Sequence, residues 1–185
     1  MDSDSVDGRA YYLTTPIYYV NDRPHIGHAY TTIAADVLTR YRAALGDDVF
    51  FLTGVDEHGL KVEKAAAAAG IPPQEHCDRM APRFRHLWER LDIEPSAFLR
   101  TTDAEHGRIV SEALASLHAR GLIERRDFEG WYCVPCERYW TEKDLVEGAC
   151  PDCRRAAERL REANYFFLMS RFAGRLREAI VSGAM

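Results

Sequence analysis

Between residues 10 and 121, short β-branched and aromatic runs alternate with stretches of helical periodicity, and that alternation leaves few folds open. Ala10 to Pro16 reads as a buried strand, followed by a loop from Tyr19 to Pro24 with Asn21, Asp22 and Pro24 as turn residues. From about His28 the pattern becomes helical: Ile33, Val37, Tyr41 and Leu45 recur every four residues as the expected core face, and Gly46 stands where a C-terminal cap belongs. Asp36 on this helix reads as a solvated charge. Val49 to Gly54 is a second strand. Lys61 to Ala69 is an Ala-rich helix stopped by Gly70 and Pro72-Pro73, and a third helix fits Gln74 to Leu91. Ala97 to Arg100 is a short strand. Thr102-x-x-Glu105 then forms a capping box for a helix with Ile109, Ala113 and Leu117 on one face, ended by Gly121. The order β-α-β-α-α-β-α predicts an α/β fold with a parallel sheet.

The texture changes near residue 119. Residues 121–164 are short apolar pieces among cysteines, glycines and charges with little periodicity, as in a small metal-stapled insertion. Asn164 to Ile180 resumes with aromatics and an Arg-rich amphipathic helix. The expected division is therefore a frayed polar tail at 1–9, an α/β region at 10–118 and an insertion at 119–185. Hydrophobic residues make up 46% of the 185 and charged residues 29%, which excludes a disordered chain. No apolar run approaches the roughly 18 residues of a membrane span. The start, MDSDSVDG, lacks the basic and then apolar segments of a secretory signal, so a cytoplasmic location is expected. A net charge of −5 argues against a strongly basic, non-specific nucleic-acid binder while leaving room for a local basic patch.

Four of the five cysteines form two Cys-x-x-Cys pairs, Cys133/Cys136 and Cys150/Cys153, with 13 residues between the pairs. Two thiolates on one tight turn present their sulfurs to a single ion, and two such knuckles complete a tetrahedral site. The expectation is structural Zn²⁺ held by all four, with no open coordination position; a redox pair is the alternative. Cys77 stands alone in the third helix and reads as a small core residue. Arg154, Arg155, Arg159 and Arg161 around Glu158 could touch phosphate or form a solvated face.

His25 and His28 bracket Gly27 after a strand and at a helix start. Unsatisfied N–H groups and the positive end of the helix dipole attract phosphate there, Gly27 lets a ligand approach the backbone, and imidazoles three residues apart share one side of the first turn. Two surface histidines near a turn remain the plain alternative, and a zinc pair is the weaker one.

The segment Thr14-Thr15-Pro16-Ile17-Tyr18-Tyr19-Val20-Asn21-Asp22-Arg23-Pro24-His25-Ile26-Gly27-His28 resembles the opening of the methionyl-tRNA synthetases, with the HIGH motif of class I aminoacyl-tRNA synthetases at its centre. Thr53-Gly54-Val55-Asp56-Glu57-His58-Gly59 is similar to that family's second block, and the likeness runs through the cysteine pairs to Asn164-Tyr165-Phe166-Phe167. The resemblance implies half of a Rossmann-like parallel-sheet nucleotide-binding fold, followed by a zinc-knuckle connective insertion. It implies that ATP, accompanied by Mg²⁺, is bound by His25, Gly27 and His28. L-methionine is then held by Ile17, Tyr19 and Asp56, with Asp56 on the α-ammonium, and methionine is activated for transfer to tRNA(Met). Read from the residues alone, Asp56 could instead cap a helix before His58, Tyr19 could be core, and His58 could hold the strand end. No Lys-Met-Ser-Lys-Ser stretch occurs, so the resemblance is to an N-terminal portion only: a fragment of a longer enzyme, a truncated relative, or one half whose partner is a separate chain, with activity of the chain alone in doubt. The competing expectations are a non-catalytic zinc-containing fragment that binds tRNA or a partner, and a synthetase for leucine or valine, which the Thr15-Pro16-Ile17-Tyr18-Tyr19 wording disfavours.

Overall fold

A computed structural model describes residues 9–184; the tail expected at 1–9 lies outside the described residues except for Arg9. The chain divides into two compact units, one ending at Gly107 and the other beginning at Arg108. No helix among the described residues is long and apolar enough to cross a membrane.

The first unit is a parallel sheet with helices. Its elements are β1 (Ala10–Thr14), β2 (Tyr18–Tyr19), α1 (Ile26–Ala44), β3 (Asp48–Asp56), α2 (Leu60–Ala68), α3 (Pro73–Arg90) and β4 (Ala97–Arg100). The expected α/β class and parallel sheet are what the chain adopts. β3 is central: Val55 pairs with Tyr18 on one edge and Arg100 on the other, and Leu52 likewise with Thr14 and Ala97. β1 and β2 thus share one edge. From Thr14, opposite Leu52, to Tyr18, opposite Val55, that edge uses one residue more than β3. Pro16 lies in the gap, where its missing N–H costs the ladder nothing.

The core joins Phe51 and Val55 of β3 to Tyr18, Val20 and Val62 and to Cys77, Met80, Ala81, Phe84 and Trp88. The α3 members recur at three- and four-residue steps, the stripe that an amphipathic helix buries. α1 departs from its expected face. Ile33, Val37 and Tyr41 are 42%, 60% and 59% exposed and Leu45 is exposed too, whereas Thr32, Ala35 and Asp36 are buried. The apolar spacing pointed to the wrong side because the polar residues of the inner side carry their own partners. Thr32 donates to the His28 carbonyl at 3.0 Å and receives the Tyr18 hydroxyl at 2.8 Å. Asp36 is not solvated: Arg40 holds it through Nε at 2.7 Å, one helical turn on.

Gly54 on β3 faces Leu99 on β4, and a Cβ at residue 54 would sit 2.3 Å from the Leu99 carbonyl oxygen. Backbone cannot yield as a side-chain tip can. Gly54→Ala is therefore expected to destabilise the first unit by about 1–3 kcal/mol, read as a lower denaturant midpoint at unchanged slope.

The next helix, α4, spans Ala104–Ala119. The Thr102 hydroxyl donates to Glu57, and Asp103 precedes the helix with its carbonyl accepting from Gly107 at 3.0 Å. None of its residues is buried, Ile109 included.

The second unit holds an antiparallel sheet in the order β6-β5-β7, from β5 (Ile123–Cys133), β6 (Arg138–Trp140) and β7 (Glu158–Phe167), followed by α5 (Ala173–Val181). Within the span 121–164, expected as short irregular pieces, β5 and β7 form one long antiparallel pairing from Ile123↔Phe167 to Tyr132↔Glu158, while the residues between them include the short strand β6 and the cysteine turns. Asn164 to Phe167 completes β7, and the helix expected from Asn164 is confined to α5. Neither face of this ribbon is fully buried, so no clean apolar alternation marks it. Cross-strand pairs stabilise it instead: Phe128 packs edge-on to Tyr139 at 4.7 Å, and Arg126 lies over Phe166 at 4.2 Å. Arg159 and Arg161 of the basic run pair with Glu129 at 2.6 Å and Asp127 at 3.6 Å.

Candidate functional site

The carboxyl ends of the parallel strands and the N-terminus of α1 meet at one end of the sheet, where open α/β folds place ligands. A cleft of about 420 Å³ there is lined by Ile17, Tyr19, Asn21, Arg23, His25 and His28, among others. Four of the expected site residues thus share one cavity. Gly27 is in the first turn of α1 beside it. A Cβ at residue 27 would come within 3.0 Å of the His25 ring, so glycine preserves that ring's position.

His25 and His28 form a reciprocal cap. The His25 Nδ1 accepts from the Gly27 N–H at 3.1 Å, and the His28 Nδ1 accepts from the His25 N–H at 3.2 Å. The rings stack with centroids 3.8 Å apart. Backbone N–H can only donate, so each Nδ1 is the unprotonated nitrogen, and Nε2–H is the donor each neutral ring offers. The sequence reading placed two donors here but not the cap that selects their tautomer. His28 is further seated on Tyr18 at 4.7 Å and Phe84 at 5.3 Å.

Burial, reinforced by the neighbouring His25, holds the His28 pKa below its ordinary value of 6.5. The unfolded chain therefore binds this proton more readily than the folded one. The stabilisation is complete above about pH 6.5 and is lost as pH falls from there through the lower folded value. A melting temperature that declines over this window, with a slope reduced in His28→Gln, is the expected outcome. It can be checked by calorimetry across pH.

Asp56 ends β3 in register with Tyr19, although it is not among the residues lining the cleft. Its carboxylate accepts from the His58 N–H at 3.2 Å. It does not cap α2, which starts at Leu60 with Gly59 as its cap residue. The neighbouring Glu57 is the buried acid, its side chain 0% exposed, and Arg100 bonds it through Nε at 2.8 Å. Arg100 also reaches Asp78 on α3 at 2.5 Å. That contact and a second from Gln74 hold the Asp78 carboxyl below the usual carboxylate range. Thr101 accepts from the Glu57 N–H at 2.9 Å and lies 3.0 Å from His58 Nδ1. His58 thus holds strand ends together, as its plain reading expected. Arg100 and Asp78 were not singled out from the sequence as partners of Glu57. Two adjacent acids at the end of an apolar run carry a signal, since both cannot face solvent at a strand end, but the partner arginine lies 43 residues away.

In the second unit, Cys133, Cys136, Cys150 and Cys153 converge, with one ligand atom from each within 4.8 Å of all the others. The sulfurs of Cys133 and Cys153 are 3.5 Å apart, and those of Cys136 and Cys150 are 3.9 Å apart. Both distances are far beyond the roughly 2.05 Å of a disulfide. They fit a tetrahedral thiolate site, in which metal–sulfur bonds of about 2.3 Å set sulfurs about 3.8 Å apart. Each pair supplies one buried and one half-buried cysteine, and the residue after each pair, Glu137 or Arg154, adopts a left-handed backbone (φ 50° and 60°). The same turn is built twice. Burial alone would raise the Cys150 thiol, but the N–H groups of Cys153 and Asp152 lower it to about 7. The Cys136 thiol, bonded to Cys153 and desolvated, is pushed up to about 12. Metal ligation would require the thiolate form of these groups, so binding is linked to proton release. Cys77 is a buried core residue, as expected, and its thiol, raised by burial to about 11, donates to the Glu57 carbonyl.

Comparison with known proteins agrees with this geometry. Residues 11–165 match the family described as tRNA synthetases class I (M). The methionine–tRNA ligase of Thermotoga maritima is 49% identical over 166 residues, covering 88% of this chain and 26% of that protein. That of Caldanaerobacter subterraneus subsp. tengcongensis is 47% identical over 168 residues, 91% of this chain and 26% of its own length. Among solved structures, Mycobacterium tuberculosis methionyl-tRNA synthetase in complex with methionyl-adenylate superposes with a TM-score of 0.87 at 39% identity, covering 94% of this chain and 35% of that one. The chain spans about a quarter of the length of these curated relatives. Since the family match takes in most of the 185 residues, and the strand–histidine–helix end and the four-cysteine centre both fall within it, the protein belongs to the class I tRNA synthetases of the M type.

Proposed function

We propose that this chain is the N-terminal part of a methionine–tRNA ligase, which uses ATP to convert methionine to methionyl-adenylate and passes the methionyl group to tRNA(Met). The observation that carries this reading is the stacked His25–His28 pair, whose Nδ1 atoms are committed to the helix cap and whose rings line the cleft shared with Tyr19. The solved relative's complex with methionyl-adenylate supports the same ligand class for this cleft. Residues 10–118 are assigned to the first half of the Rossmann-like catalytic domain and 119–185 to its connective insertion, and the protein to cytoplasmic translation.

In the reaction, a methionine carboxylate oxygen attacks the α-phosphorus of ATP in line. The new O–P bond replaces the bond to the β-phosphate, and pyrophosphate leaves with that electron pair. No protein nucleophile is required. His25 and His28, as Nε2–H donors, stabilise charge developing on phosphate oxygens, with Mg²⁺ accompanying the nucleotide, and Gly27 allows close approach to the helix end. Asp56 binds the α-ammonium as a charge-assisted partner, while Ile17 and the Tyr19 ring form the wall for the thioether. Cys133, Cys136, Cys150 and Cys153 would hold Zn²⁺ in a closed structural site, ordering the insertion without entering the chemistry.

The alternative is a non-catalytic zinc-containing fragment that binds tRNA or a partner synthetase. Methionine-dependent ATP–pyrophosphate exchange separates the two. Exchange by the chain, alone or with the remaining half supplied as a separate polypeptide, is expected for the ligase. Its absence in both, together with measurable tRNA or partner binding, would favour the fragment.

A further inference from the structure

Three consecutive residues of α3 reach the carboxyl ends of three different strands. His76 Nε2 donates to the carbonyl of Val20, the residue that follows β2, at 2.9 Å. Cys77 Sγ donates to the carbonyl of Glu57, the residue that follows β3, at 3.7 Å. Asp78 accepts from Arg100 at the end of β4 at 2.5 Å. Val20 itself is fully buried, and its N–H donates to the Asp56 carbonyl at 3.3 Å. Both backbone groups of Val20 are thus tied, one to the strand that ends in Asp56 and one to α3. Asn21, Asp22 and Arg23, the exposed turn that walls the cleft before His25, start immediately after it. The far end of that turn is held by the His25–His28 cap. Its near end is therefore placed by Val20, and among the side-chain bonds to that residue's backbone the one observed comes from His76.

We propose that the His76-Cys77-Asp78 turn of α3 is a bracket that spaces the strand ends forming the cleft, and that His76 is a positioning residue for the 20–25 loop. The ligand-binding consequence rests on the function proposed above; the placement of the loop does not. A carbonyl can only accept, so the ring serves through Nε2–H, and a glutamine, whose amide N–H can reach a similar point, can replace it where leucine cannot.

The test compares His76→Leu, His76→Gln and, as a control on the exposed face of the same helix, His86→Leu, all in the full 185-residue chain. Amide spectra without ligand report the loop, because the Asn21 N–H shares its peptide group with the Val20 carbonyl. His76→Leu is expected to shift the amides of residues 21–23 and 25–28, with His76→Gln returning them toward wild type and His86→Leu leaving them alone. In an L-methionine titration, His76→Leu is expected to weaken binding about tenfold while His76→Gln stays within about threefold of wild type. Unchanged loop amides in His76→Leu overturn the proposal. So do Leu and Gln variants that behave alike, because packing and not the hydrogen bond would then be at work. If the wild-type chain does not bind methionine yet the loop amides respond as described, the bracket stands and the assigned ligand is what fails.

Discussion

Replacing Cys133 by serine is expected to bring bound metal from one ion per chain to near zero and to unfold the second unit while the first remains folded. Among the described residues of that unit, the buried apolar side chains are Leu122, Cys133 and Cys150. Two of the three are proposed metal ligands, so an ion bound there would stand where a small domain otherwise needs a larger core. Even the loss of an outer hydrogen-bond partner typically lowers metal affinity roughly 10- to 100-fold, and loss of a direct thiolate should exceed that. A chelator should act like the mutation. Amide exchange of β5 and β7 should accelerate, whereas β3, whose Phe51 and Val55 belong to the core with Phe84 and Trp88, should keep its protection. Because a thiol must lose its proton to ligate a metal, metal uptake should release protons and tighten as pH rises. Full metal occupancy in Cys133→Ser, or β5 protection indifferent to chelation, would show that the hairpin stands without the ion.

His28→Ala should slow methionine-dependent ATP–pyrophosphate exchange by about 10²-fold or more, with little change in methionine affinity, in whatever form of the protein supports exchange. The donor acts on charge that grows only as the α-phosphorus is attacked, so its loss belongs in the rate and not in the binding of the amino acid. The substitution also removes the acceptor for the His25 N–H and the ring packed on Tyr18 and Phe84, so a lower melting temperature is expected beside the kinetic loss. Measuring stability and methionine binding on the same variant separates these effects. An exchange rate equal to wild type would remove the ring from the chemistry and leave it as a cap.

Much of the first unit was legible in the residues. β3 and β4 and the long helices lie close to where apolar runs and Gly or Pro stops put them, and α3 buries the stripe its periodicity shows. α1 was misjudged because its exposed face is more apolar than its buried one. Hydropathy cannot register that Thr32 and Asp36 go inside already bonded, to Tyr18 and Arg40. The hairpin of the second unit was hidden for the converse reason: a ribbon with two half-exposed faces buries too little to leave a period-two pattern.

The sequence alone determined the chemical inventory: two imidazoles at a helix start, four thiols in paired turns, and an acid closing the central strand. Local spacing sufficed because each group acts within a few residues of its neighbours, through a first helical turn or a tight knuckle. Tertiary structure decided that Glu57 and not Asp56 is the buried acid, and that three residues of α3 reach three strand ends. Those outcomes depend on groups 20 to 56 residues apart meeting in space. Such a meeting is set by how a parallel sheet stacks its helices, and no local pattern in the chain encodes it.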